Sequence, residues 1–162
     1  MSNLISPRPR TVGNVATTKR NFQIVASQFN ATYVQGLIDH LTAELSMLAP
    51  TAITTLTHVP GSFEIPIVVR ELALKKRGDA IIAIGVILQG ETNHAENLSR
   101  SVTDALQRIA VTQGIPVVNV VLTFDDEDQA RARCLENEIN RGTEAARTAV
   151  EISNVISRLR NK

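Results

Sequence analysis

The chain has 162 residues, of which 43% are hydrophobic and 3% are aromatic, and its formal net charge is +1. This length fits one domain, and the near balance of charge argues against a dedicated nucleic-acid surface. No apolar run approaches the roughly 20 residues that cross a membrane, and the N-terminus has no signal-peptide pattern. Because the single Cys134 cannot form an internal disulfide, we expect a cytoplasmic protein.

The N-terminal segment differs from the rest of the chain. Residues 1–20 are polar and are interrupted by Pro7 and Pro9, which predicts a flexible arm. From Phe22 onwards apolar residues recur at regular spacings, and no linker or internal repeat interrupts them. The sequence therefore predicts one folded domain over residues 21–162.

Apolar spacing along this domain predicts strands that alternate with helices. The predicted strands cover residues 22–27, 52–59, 80–84 and 117–122, and Gly142 marks a joint between two helices in the last segment. Such an order predicts an α/β fold, a three-layer sandwich with a four-stranded parallel sheet and helices on both faces. The loops after the strands share the carboxyl edge of this sheet, where such folds bind ligands. They are centred on Phe29, Ser62, Gln89 and Phe124.

The segment Gly85–His94 joins the third strand to the next helix through a glycine loop. A helix start there would offer backbone N–H groups and a positive dipole end to a phosphate. His94, on the first helical turn, is the best candidate for general acid–base catalysis, because imidazole titrates near neutrality and a helix start favours its neutral form. The alternative is an exposed histidine near a helix cap. Glu91 does not fit a phosphate site in this loop, because its carboxylate would repel an anion.

Three further side chains at the carboxyl edge are candidates for ligand binding. Glu64 could bind ligand hydroxyls, although spacing alone favours a simple charge effect at a helix start. Phe29 and Phe63 could stack on a planar ligand, and core packing is an equal or better alternative. Arg133 lies on a charged helix, where an arginine is normally solvated.

Other common sites are disfavoured by missing motifs. The spacing Gly85-x4-Gly90 lacks the Lys-Ser/Thr ending of a P-loop, which disfavours nucleoside triphosphates. No Gly-x-Gly-x-x-Gly follows the first strand, so a dinucleotide site is disfavoured as well. We expect no metal site, because potential ligands are not clustered.

Several motifs in this chain occur together in one known family. Residues 59–66 read VPGSFEIP and residues 85–94 read GVILQGETNH. They resemble the VPGAFEIP signature and the GxVIRGxTxH loop of the 6,7-dimethyl-8-ribityllumazine synthases. Shorter matches to the same family, in the right order, are FN at 29–30, GIPV at 114–117, LT at 122–123, QAxxR at 129–133 and RGxEAA at 141–146.

This resemblance implies a flavodoxin-like fold and the penultimate reaction of riboflavin synthesis. The family condenses 5-amino-6-ribitylamino-2,4(1H,3H)-pyrimidinedione with 3,4-dihydroxy-2-butanone 4-phosphate and releases phosphate and water. No metal or organic cofactor is implied. The family builds its site between adjacent subunits of a pentamer, so the resemblance implies a homo-oligomer.

By the same resemblance, this chain's residues divide between the two substrates. On the pyrimidine side, the resemblance implies that Phe29 stacks on the ring and that Ser62 and Phe63 line the pocket. It also implies that Glu64 contacts the ribityl hydroxyls and that Ile87 and Leu88 make backbone contacts. On the phosphate side, the resemblance implies a helix start at Gly90, Glu91 and Thr92 that contacts the phosphate. It implies that His94 transfers protons and that Arg133 supplies a cation from a neighbouring subunit. Asn119 and Arg141 complete the implied substrate-binding set.

Departures from the family pattern leave alternatives open. Gln89 replaces a usual arginine, Glu91 a small residue, and Asn119 an aromatic that helps to cover the ring in many members. A non-catalytic binder of lumazine or flavin is therefore a second hypothesis, and a purely structural shell protein is a third.

The resemblance also bears on the size of the assembly. Residues 134–140 lack the glycine-rich kink of shell-forming members, which favours a pentamer or a pair of pentamers over a 60-subunit shell. The N-terminal arm, by family likeness, adds a strand to a neighbour's sheet.

Overall fold

The computed structural model describes residues 19–161. Its strands are β1 (Asn21–Ser27), β2 (Ile53–Val59), β3 (Ala80–Leu88) and β4 (Val117–Phe124). Its α-helices are α1 (Ala31–Leu48), α2 (Ile65–Leu74), α3 (His94–Gln113), α4 (Glu127–Cys134) and α5 (Arg141–Arg160), and a 3-10 turn covers Ser62–Glu64. Residues 1–18 of the predicted arm, and with them its proposed added strand, lie outside the described residues.

All strand pairs are parallel, and the spatial order of the strands is β2-β1-β3-β4. Helices α1, α4 and α5 cover one face, where Phe22, Ile24 and Leu41 are buried. Helices α2 and α3 cover the other face over Val25, Ile81 and other buried residues of β1 and β3. The predicted three-layer, flavodoxin-like α/β sandwich is therefore confirmed.

Two strands extend further than their apolar runs predicted. β3 continues to Leu88, because residues beyond Ile84 pair in register with β4 as far as Leu88–Phe124. The prediction of a loop at Phe124 is wrong, since this residue ends β4 and is 5% exposed. The ladder extends one bond further, where the Gln89 backbone N–H donates to the Phe124 carbonyl at 2.8 Å.

The predicted helix joint at Gly142 is also misplaced. The break lies before Asn140, whose side chain accepts from the backbone N–H groups of Gly142 and Thr143 and so caps α5. Gly142 lies in the first turn, where a Cβ atom would be 2.3 Å from the Leu37 carbonyl oxygen of α1. A glycine is needed there because two helices approach closely.

The interface between α1 and α5 and the edge strand β2 contrast in their burial. Between α1 and α5, Glu44 and Arg147 form a largely buried ion pair with an N–O distance of 2.9 Å. In contrast, most of the edge strand β2 is exposed, including Ile53 at 46% and Leu56 at 41%. Arg20, at the end of the predicted arm, packs with the domain and donates to Asn154 at 2.9 Å.

Candidate active site

The strand order creates a crevice between β1 and β3. These strands are neighbours, but α1 leaves β1 toward one face and α3 leaves β3 toward the other. Ligands bind at such a switch point beyond the carboxyl ends of the strands. Here it holds a cavity of about 550 Å³, a volume typical of small-molecule sites. The predicted site residues that line it are Phe29, Ser62, Phe63, Glu64, Ile87, Leu88, Gly90, Thr92 and His94.

Two phenylalanine rings flank this cavity and are exposed. Phe29 is 72% exposed and Phe63 is 68% exposed, which excludes core packing within the chain for both. Exposed rings of this size beside a cavity indicate a surface that a ligand or another protein covers. A flat heterocycle is a suitable partner, because aromatic faces favour offset stacking.

The Phe29 loop is held by backbone hydrogen bonds to the neighbouring strand end. The Gln28 N–H donates to the Val59 carbonyl at 2.8 Å, and the Phe29 N–H donates to the Pro60 carbonyl at 3.3 Å. These contacts continue the β1–β2 ladder beyond its last residue pair. The position of the Phe29 backbone is thus defined although its ring is exposed.

Glu64 has two roles in the geometry of the adjacent turn. Its Oε2 atom accepts from the Gly61 backbone N–H at 2.9 Å, which closes the turn before α2. The same side chain is half-buried and lines the cavity. Glu64 therefore has the structural role at the turn that its spacing predicted, and it also lies in a position suited to binding ligand hydroxyls.

Ser62 is buried beneath this turn and depends on a glycine in β3. A Cβ atom at Gly85 would lie 2.5 Å from the Ser62 Oγ atom. Gly85 therefore gives the 3-10 turn room to pack on the strand. A glycine inside a strand is the sequence signal for such a close approach.

The loop of residues 89–93 precedes α3. Gly90, Glu91 and Thr92 lie before the helix rather than in its first turn, and α3 begins at His94. The His94 backbone N–H donates to the Thr92 Oγ1 atom at 3.4 Å. The Asn93 side chain makes no cap hydrogen bond, so it leaves the next N–H groups of the first turn, those of Ala95 and Glu96, for another acceptor. His94 is exposed, lines the cavity and sits beside this helix end. The loop can thus supply anion contacts and a titratable group together.

Known proteins match this chain over most of its length. The family model for 6,7-dimethyl-8-ribityllumazine synthase matches residues 19–157. This chain belongs to the 6,7-dimethyl-8-ribityllumazine synthase family. The 6,7-dimethyl-8-ribityllumazine synthase of Nitrosomonas europaea is 42% identical over 134 residues, which cover 82% of this chain and 79% of that protein.

Two other relatives carry the same name. The Azoarcus sp. protein is 41% identical over 135 residues, covering 82% of this chain and 83% of its own length. The Paraburkholderia phymatum protein is 43% identical over 133 residues, covering 82% of this chain and 75% of its own length. The family that the motifs indicated is therefore confirmed.

Four residues implicated by the family pattern do not line the cavity of the single chain. They are Glu91, Asn119, Arg133 and Arg141. Arg133 lies on α4 and is half-buried, while Arg141 begins α5 and forms an ion pair with Glu144. Asn119 lies on β4, where its Oδ1 atom accepts from the Val121 backbone N–H at 2.9 Å.

Gln89, which replaces the arginine usual in the family, borders a different cavity. That cavity has a volume of about 440 Å³ and lies beside β4 and α3, with Arg100 and Thr123 in its wall. Within one chain, Gln89 therefore does not line the 550 Å³ cavity.

The family motifs did not assign a role to Asn30, which lines the cavity. Its backbone is left-handed, with φ 55° and ψ 46°, and its Nδ2 atom donates to the Val86 carbonyl at 2.7 Å. Asparagine tolerates this conformation better than most residues, so an asparagine directly after a strand was the sequence signal that could have identified Asn30.

Within residues 19–161, no group of three or more His, Cys, Asp or Glu residues is arranged to hold a metal ion. No helix in that range combines the length and apolar character needed to cross a lipid bilayer.

Burial raises the pKa of the Cys134 thiol to about 12, and the nearby Arg133 acts in the opposite direction.

Proposed function

We propose that this chain is a 6,7-dimethyl-8-ribityllumazine synthase that condenses 5-amino-6-ribitylamino-2,4(1H,3H)-pyrimidinedione with 3,4-dihydroxy-2-butanone 4-phosphate. The reaction is the penultimate step of riboflavin biosynthesis. Its main support is the one cavity that gathers Phe29, Glu64 and His94 in a chain of this family.

The pyrimidine substrate occupies the part of the cavity between the two exposed rings. Phe29 stacks on the heterocycle, and Ser62 and Phe63 line the pocket. Glu64 binds the ribityl hydroxyls, for which a carboxylate held at a turn is a suitable acceptor. Backbone groups at residues 87–88, the last two of β3, pair with the polar edge of the ring.

The phosphorylated substrate lies against the loop before α3. Gly90, Glu91 and Thr92 bring backbone N–H groups near its phosphate, although the Glu91 carboxylate opposes binding unless it points away. His94 moves protons as the amine adds to the ketone, water and phosphate leave, and the second ring closes. No protein nucleophile is required, so holding the two substrates together supplies much of the rate enhancement.

A second copy of the chain completes the site. Arg133 pairs with the phosphate of the neighbouring subunit, and Asn119 and Arg141 approach the same ligands. Support comes from large apolar side chains that are exposed in the single chain, namely Phe63 beside the cavity, Ile67 and Leu74 on α2, and Ile53 and Leu56 on β2. Apolar surface of this kind marks an interaction site. We propose a cytoplasmic homopentamer, or a pair of pentamers, with no nucleic-acid or membrane partner.

A coupled assay with both substrates tests this function directly. Formation of the lumazine chromophore at an ordinary enzymatic rate is the expected result, and mass measurement in solution should give a pentamer or decamer. Lumazine binding without turnover would instead support the non-catalytic binder, which the Gln89 and Asn119 departures motivate. Large hollow particles without turnover would support the structural shell protein.

A further inference from the structure

Asn30 lies where β1 turns away from β3. The register between these strands ends at the pair Ala26–Ile84. β3 continues to Leu88 with β4 as its partner on the other side. Backbone groups of β3 beyond Ile84 that face β1 therefore lose their strand partner at the floor of the cavity.

The Asn30 side chain replaces that missing strand partner. Its Nδ2 atom donates to the Val86 carbonyl at 2.7 Å, across 56 residues of sequence. At the same time its backbone carbonyl accepts from Tyr33 at 3.1 Å and from Val34 at 3.2 Å, which starts α1. One residue thus joins the end of β3 to the beginning of α1. Its left-handed backbone, with φ 55°, aims the short side chain back toward the sheet.

This connection bears on the exposed ring next to it in the chain. The Phe29 backbone donates to Pro60 on the β2 side, and Asn30 binds Val86 on the β3 side. The Phe29 ring is 72% exposed, so packing within the chain does little to hold it. Its distance from the backbone of Ile87 and Leu88 is therefore set through the Phe29 backbone, which the Pro60 contact holds toward β2 and the Asn30 amide holds toward β3.

We propose that Asn30 is a positioning residue: its amide sets the spacing between the Phe29 ring and the end of β3 at Ile87 and Leu88, and so governs affinity for the heterocyclic substrate. The inference rests on the proposed function, which assigns these two surfaces to the pyrimidine. Asn30 also borders the cavity, but its bond to Val86 occupies the amide group, so its effect is exerted through Phe29.

Two substitutions remove the hydrogen bond from the Asn30 side-chain amide to Val86 and retain the left-handed backbone at this position. Asn30→Gly tolerates a positive φ and lacks the side chain, and Asn30→Asp has a similar size but presents an acceptor to the Val86 carbonyl. We expect each to raise the KM for the pyrimidine about tenfold, in line with the loss of a partly buried hydrogen bond. The KM for the butanone phosphate should stay within about twofold, because the phosphate side is not connected through Asn30.

A matched control removes a side-chain amide hydrogen bond within α1, the helix that Asn30 precedes. Gln35 of α1 donates to Asp39 at 2.7 Å on the exposed surface, and it does not line the cavity. Gln35→Ala should leave both KM values unchanged. If Asn30→Gly and Asn30→Asp, with melting temperatures near that of the wild type, also leave the pyrimidine KM unchanged, the proposal is wrong.

A double-mutant cycle with Phe29→Ala tests whether Asn30 acts through Phe29. The double variant Phe29→Ala/Asn30→Gly should have the same pyrimidine KM as Phe29→Ala alone, since the positioned ring is already absent. Additive effects would overturn the proposal, because they would mean that Asn30 contacts the ligand independently. The same cycle measured by lumazine binding requires no turnover, so its result is distinct from a failure of the proposed catalytic function.

Discussion

The cavity at the carboxyl edge and the α4–α5 region supply the predicted site residues in different ways. Phe29, Glu64 and His94 come from three successive strand-to-helix connections, and the fold gathers them around one cavity. Arg133 and Arg141 come from helices next to α1, and neither lines that cavity. In a parallel sheet the former arrangement follows from topology, whereas the proposed role of the two arginines requires contact with a second copy. Substitutions in each of the two regions test that difference.

The largest effect is expected from Arg133→Ala. If the guanidinium binds the phosphate across a subunit boundary, its loss should raise the KM for the butanone phosphate more than about 10²-fold, because charge-assisted bonds to phosphate are strong. Arg131→Ala is a matched control on the same helix, since Arg131 is exposed and pairs with Asp128. Steady-state kinetics measures both variants. An unchanged affinity in Arg133→Ala would disprove the phosphate assignment.

His94→Ala should slow turnover by about 10²-fold or somewhat less, with smaller effects on the KM values, as expected for a lost proton-transfer group. His58→Ala is a suitable control, because His58 is exposed on β2 and does not line the cavity. Equal rates for the two variants would remove His94 from the mechanism.

The same variants can test the subunit boundary when they are assembled together. Hybrids of His94→Ala and Arg133→Ala chains should regain activity, because some sites then combine an intact His94 from one chain with an intact Arg133 from the other. Hybrids with no more activity than the separate variants would place both groups of one site on the same chain.

Gly142→Ala tests the packing that holds α5, and Arg141 with it, against α1. A new Cβ atom would lie 2.3 Å from the Leu37 carbonyl oxygen, so the backbone must move. We expect a loss of about 1–3 kcal/mol in the free energy of unfolding. Gly90→Ala should cost much less, because nothing lies within 4 Å of a Cβ atom at that position. Denaturant titrations at one protein concentration would measure both, and equal losses would contradict the packing explanation.

The smallest predicted effect concerns Cys134, which ends α4 one residue after Arg133. Its pKa is raised from 9.0 to about 12, so above pH 9 the unfolded chain loses this proton while the folded chain retains it. The thiol therefore contributes stability that is present below pH 9 and decreases between pH 9 and 12, by about 1 kcal/mol from pH 9 to pH 10. Cys134→Ala should have a shallower decrease in unfolding free energy over this range. Identical slopes for both proteins would contradict the predicted titration.

Much of this molecule could be predicted because its signals are local. Apolar runs identified all four strands, and the motifs around Glu64 and His94 identified the family. Strand ends were less well predicted, because Leu88 and Phe124 are held in strands by each other rather than by their own apolar runs. The helix joint assigned to Gly142 was misplaced for a similar reason, since that glycine is required by a close contact with α1.

Local spacing and residue type were thus sufficient for the fold class and for the edge of the sheet where the site lies, because both follow from the alternation of strands and helices. They were not sufficient for the exposure of Phe29 and Phe63, since the same rings could have packed in the core. Nor could they join Asn30 to Val86, because a contact across 56 residues exists only after β1 and β3 are side by side. Burial and long-range pairing depend on the whole chain at once, and for that reason the geometry of the cavity required the folded structure.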